Sequence, residues 1–221
     1  IHLALCLLAA ALVALVVFLC WYPAPFADLT HVAPIFLIPE RFDLKPQPGE
    51  DRGGVLRRIG AGMTADDWKR NAEFMNEKAR GLKASGIKVG YHNHNFEFAP
   101  LGDSNGFEIL LKNTDPTLVS FELDVGWVAA AGVDPAKVFA HHPGRFTQMH
   151  VKDIKADTKP NYVLSMDPTE VGSGVLPWKT LLPAAYAAGV RDFFVEQEPP
   201  FEKGRLEAAQ IGYKYLSMLE A

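Results

Sequence analysis

The chain has 221 residues, 22 of them basic and 26 acidic, for a formal net charge of −4. That balance argues against a basic nucleic-acid binder, and 48% hydrophobic with 22% charged residues excludes a disordered chain. Cys6 and Cys20 are the only cysteines, so no disulfide framework or cysteine zinc cluster serves the remainder.

Leu3 to Cys20 is an unbroken apolar run without a charge. As a helix it would extend about 27 Å at ~1.5 Å per residue, close to the ~30 Å hydrocarbon core of a bilayer. Trp21 and Tyr22 stand where interfacial aromatics sit, and Pro23 and Pro25 forbid continuation. The expectation is an N-terminal apolar helix, with residues 1–27 a membrane anchor or signal-like segment and 28–221 a separate domain. A genuine anchor implies a membrane-anchored or exported protein on the periplasmic side; otherwise the protein is cytoplasmic. No Lys or Arg precedes Arg41, so charge sets no orientation.

Pro34–Pro39 is a short strand candidate, and 43–63, rich in Pro, Gly and charge, reads as a loop. Thr64 and Asp67 make a capping box for a helix whose Trp68, Ala72, Met75 and Ala79 recur at helical spacing before Gly86. Strand candidates follow at Ile87–His94, Leu118–Val125, Phe146–Val151 and Asp192–Gln197, with helices near 105–113, 134–142 and 178–188 between them. Strand–helix alternation at this spacing implies a parallel sheet in an α/β fold.

Polar residues collect where these strands end: His92 and His94, then Asp124, then His150 with Lys152 and Asp153, then Glu196 with Glu198. Residues two apart on a strand face one way, so His92 and His94 are expected to point inward together. Two histidines, an aspartate and a glutamate suit a divalent metal such as Mn, Zn, Co or Mg. Gly172-Ser173-Gly174 with Trp178 offers either a cover for a substrate or a plain connector.

The motifs GIKVGYHNHNFEF, FELDVGW, HVKD and FFVEQE resemble, in order and spacing, the sugar phosphate isomerase/epimerase superfamily. This xylose-isomerase-like barrel group also contains inosose dehydratases, ketose epimerases and endonuclease IV. The resemblance covers roughly residues 62–221 and implies an incomplete (β/α)8 TIM barrel, strands four to eight, in which one metal is held at strand ends. Carried over by motif, the ligands are His92, Asp124, His150 and Glu196. His92 stands where related epimerases have Glu, and His94 is an alternative ligand.

The implied function is a metal-dependent isomerase or epimerase acting on a sugar or keto-sugar by proton abstraction beside a carbonyl. Glu196 or His94 is the candidate base, and Lys152 the candidate stabiliser of the enediolate. Keto-sugar lyase or dehydratase chemistry is the alternative, and an inactive membrane-tethered fragment is the competitor outside enzymology. Activity would require the missing part of the barrel. An endonuclease-IV-like reading fails at Trp127, where a further His ligand is needed, and on the acidic charge. The partner expected is a small sugar, with no nucleic acid and with oligomerisation left open.

Overall fold

The computed structural model describes residues 62–219 and two earlier strands, β1 (Val16–Trp21) and β2 (Ala33–Ile35). The chain divides into two compact units, one of residues up to His92 with Ala99–Ser120, the other of Asn93–Phe98 with Phe121–Ala221.

In the first unit, β1 runs antiparallel to β3 (Ile87–His92), and β2 runs antiparallel to β1. This corrects part of the expected apolar helix: Val16–Trp21 is a strand, whereas residues 3–15 lie outside the described residues. An apolar run has no period to separate helix from strand, and Val16, Val17, Phe18 and Trp21 favour strand by their branching and rings. The expected strand at 34–39 is described only as Ala33–Ile35. No helix of the described residues is long and apolar enough to cross a membrane.

Helix α1 (Ala65–Leu82) opens on the expected capping box, in which the Asp67 N–H donates to Thr64 Oγ1 at 3.3 Å and the Thr64 N–H to Asp67 Oδ2 at 2.7 Å. Trp68, Ala72, Met75 and Ala79 form its buried stripe. It packs on α2 (Gly106–Asn113), capped by the Asn105 side chain. A Cβ at Gly106 would enter the Trp68 indole, so this close approach requires glycine.

In the second unit, β4 (Val119–Asp124), β5 (Phe146–Val151) and β6 (Asp192–Val195) are parallel, paired from Phe121 onward with β5 between the others. Asp124 lies opposite His150, and Phe194 opposite the other side of His150. Their helices are α3 (Val125–Ala130), α4 (Pro135–His141), α5 (Trp178–Ala188) and α6 (Arg205–Ser217). Phe121, Leu123, Phe146 and Met149 fill the core, and Phe139 meets Phe146 edge-on at 5.2 Å. Each such buried side chain contributes roughly 1.5–3 kcal/mol of hydrophobic stabilisation.

After β5, Asp153–Ile154 pairs antiparallel with Pro168–Thr169. The buried Asp153 carboxylate accepts from the backbone N–H groups of Ile154, Gly172, Gly174 and Leu176 and from the Trp178 indole, at 2.8–3.2 Å. Trp178 is therefore core, 1% exposed, and the glycine turn is fastened to the Asp153 carboxylate. Asp153→Asn places an amide donor against these donors. It should lower unfolding stability by about 2 kcal/mol and the thermal midpoint by several degrees in a circular dichroism melt. An unchanged midpoint would contradict this role.

Candidate active site

Three segments of the second unit bring charged side chains together. Asp124 ends β4 and is fully buried; its carboxylate caps α3 by accepting from the Trp127 N–H at 3.1 Å. The Asn93 side chain grips the Asp124 backbone from both sides, accepting its N–H at 2.9 Å and donating to its carbonyl at 3.3 Å. Glu122, two residues earlier on the same strand face, reaches His150 Nε2 at 3.2 Å. His150 Nδ1 lies 2.7 Å from Glu196 Oε2 and 3.5 Å from Asp124 Oδ2.

Lys152 follows β5 and is completely buried. Its ammonium lies 2.8 Å from Asp124 Oδ2, 2.8 Å from Glu196 Oε2 and 2.9 Å from Glu198 Oε1, and 5.4 Å from the centre of the Trp127 ring. A Cβ at Gly126 would come within 2.7 Å of Lys152 Cγ, so a glycine in α3 leaves room for the lysine stem. Carboxyl groups outnumber cations here four to two: Glu122, Asp124, Glu196 and Glu198 against His150 and Lys152.

Electrostatics follow from that imbalance. Burial alone would pull the His150 pKa down, but hydrogen bonds to Asp124, Glu122 and Glu196 push it up to about 12. For Lys152 the burial penalty is likewise overcome, by Asp124, Glu198 and Glu196, and its pKa is raised. Glu196 resists its own burial through His150 and Lys152 and falls to about 2.

These shifts fix a pH dependence for protein held in chelator. The Glu196 contribution is present above its ordinary 4.5 and lost as pH falls toward about 2. The His150 contribution is complete below its ordinary 6.5 and erodes as pH rises toward about 12. The thermal-midpoint gap between wild type and His150→Gln should thus be widest between about pH 4.5 and 6.5 and narrow on both sides. A gap that stays constant from acid to alkaline pH would contradict it.

Donor atoms of Asp124, His150 and Glu196 all lie within 4.8 Å of one another. Opposite ligands of a divalent ion, each at ~2.2 Å, stand ~4.4 Å apart, so the set fits such an ion in spacing and donor chemistry. The Lys152 ammonium already stands between two of these carboxylates as a cation would. His92 ends β3 in the first unit, buried. His94 lies beyond that strand, so the expectation that both rings project from one strand face is corrected. The chain turns at once into a short helix, Phe96–Phe98, and Glu97 accepts the His94 N–H at 2.9 and 3.0 Å. The His94 ring packs 5.2 Å from Trp127 and 6.1 Å from Phe96, outside the Asp124–His150–Glu196 group. Glu122 was missed although the alternation of FELD places it on the Asp124 face.

The profile of the xylose isomerase-like TIM barrel family matches residues 40–217, and the chain belongs to that family. Its α/β architecture is that of an incomplete TIM barrel. Residues 1–31 separately match the profile of fimbrial assembly protein FimB, a match confined to that segment. Inosose dehydratase of Lactiplantibacillus plantarum is 25% identical over 166 residues, 70% of this chain and 55% of that protein. Inosose dehydratase of Clostridium tetani is 32% identical over 95 residues, 43% of this chain and 31% of that protein. Among solved structures, a sugar phosphate isomerase/epimerase from Parabacteroides distasonis matches with a TM-score of 0.60 at 28% identity, over 76% of this chain and 63% of that one. The chain spans about half the length or less of the curated relatives it matches.

Proposed function

We propose that this member of the xylose isomerase-like TIM barrel family acts on a polyhydroxylated ketone of the inosose class, removing the proton beside the carbonyl and expelling a β-hydroxyl as water. The observation that carries the reading is the buried Lys152 ammonium, within 2.9 Å of three carboxylates and beside His150, at the ends of parallel strands. The named sequence relatives are inosose dehydratases, which favours loss of water over simple return of the proton.

Asp124, His150 and Glu196 would hold a divalent ion. When bound, such an ion polarises the carbonyl and acidifies the neighbouring C–H. Glu196, kept ionised, is in the accepting state and takes the carbon-bound proton. Lys152, kept cationic, stabilises the negative charge that develops on the carbonyl oxygen. We assign Glu196 rather than His94 as the base, because the His94 ring is packed on Trp127 and Phe96.

Isomerase or epimerase chemistry is the second reading, favoured by the Parabacteroides distasonis structures. Incubation with an inosose and Mn²⁺ in deuterium oxide, read by mass spectrometry, separates the two. A product lighter by one water supports dehydration; deuterium beside the carbonyl without water loss supports the second reading. Neither change would overturn both.

A further inference from the structure

Glu170 is a buried acid that the chemistry above does not use. It is 4% exposed, and its Oε1 has no hydrogen-bond partner. Its Oε2 accepts from the Thr169 hydroxyl at 3.2 Å and lies 3.8 Å from the ammonium of the half-exposed Lys203. One oxygen is thus satisfied and the other is not. A buried polar atom left unpaired costs stability and calls for a reason, commonly a ligand or an ordered water.

The strand register says where this carboxyl faces. Asp153 pairs with Thr169, and Ile154 with Pro168, in antiparallel sense. Continuing that register by one step sets Glu170 opposite Lys152, and directly opposed residues share a face of the ribbon. The alternation agrees: Asp153 sends its carboxylate the other way, to the Gly172–Leu176 turn and Trp178. Lys152 sends its ammonium to Asp124, Glu196 and Glu198, so the register extended by that one step puts Glu170 on the face of the ribbon from which Lys152 leaves.

We propose that Glu170 is a substrate-binding residue of this site, its Oε1 accepting a hydroxyl of the polyhydroxylated substrate. The proposal rests on the functional reading above and deepens it. A hydroxyl donor matches the need: it completes the unpaired oxygen, and the polyol gains a fixed orientation beside Lys152. No bond to carbon forms or breaks at Glu170, so the role is recognition.

The test is titration calorimetry of the full chain with an inosose in the presence of Mn²⁺, for wild type, Glu170→Gln and Glu170→Ala. A set of analogues each lacking one hydroxyl completes it. Glu170→Ala should weaken binding on the order of 10- to 100-fold, and Glu170→Gln less. Mn²⁺ content should stay at the wild-type level, and the melting midpoint without ligand should not fall. One deoxy analogue should lose affinity for wild type yet bind Glu170→Ala as well as the parent compound does, which marks a shared hydrogen bond. Wild-type affinity in both variants, or a lowered midpoint with unchanged affinity, would overturn the proposal while leaving the functional reading standing. Failure of wild type itself to bind any inosose would overturn the functional reading, and this proposal with it.

Discussion

Asp124→Asn should purify without bound divalent metal and lose about three orders of magnitude or more in turnover, while keeping its fold. Asp124 is fully buried and supplies one of three donor atoms that lie within 4.8 Å of one another. An amide oxygen is a far weaker ligand than a carboxylate. It still accepts from the Trp127 N–H, so the α3 cap survives. Asp124→Ala removes the cap as well and should melt earlier, by an additional ~1 kcal/mol. Metal analysis by mass spectrometry beside circular dichroism separates ligand loss from unfolding. Wild-type metal content in folded Asp124→Asn would remove Asp124 from the site.

Lys152→Met should lower turnover by about two to three orders of magnitude, and its stability should become dependent on divalent metal. Methionine replaces the stem but leaves Asp124, Glu196 and Glu198 without the ammonium that lies within 2.9 Å of each. Breaking a buried ion pair costs roughly 3–5 kcal/mol. The loss here should be nearer ~2 kcal/mol, because Glu196 and Glu198 are 41% and 36% exposed and water screens them. A divalent cation bound by the same carboxylates should restore more stability to the variant than it adds to wild type. Calorimetric melts with chelator and with Mn²⁺ give the comparison. Equal metal-induced shifts in the two proteins would show that lysine and metal do not share these carboxylates.

Periodicity made the second unit legible. The parallel strands fall where apolar alternation places them, and Asp124, His150 and Glu196 lie at or just beyond their C-terminal ends. The α1 cap was equally plain, because Thr64 and Asp67 satisfy each other locally. Information failed where a residue's partner is remote in sequence. In the sequence Asp153 is one more polar residue at a strand end, yet its carboxylate gathers N–H groups nineteen to twenty-five residues away. Glu122 was passed over as one more charge in a strand until His150 is seen at 3.2 Å. His94 misled because the period-two rule was extended past His92, where the strand stops. Val16–Trp21 misled for the opposite reason: an all-apolar stretch carries no period at all.

Asp124, His150 and Glu196 are expected to hold one divalent metal. Anomalous diffraction at the manganese edge from crystals grown with Mn²⁺ tests it most directly. One peak is predicted within ~2.0–2.4 Å of a carboxylate oxygen of Asp124, a ring nitrogen of His150 and a carboxylate oxygen of Glu196, with the Lys152 ammonium displaced from between the two carboxylates. No peak at these three side chains, with Lys152 still bridging Asp124 and Glu196, would show that they hold no metal.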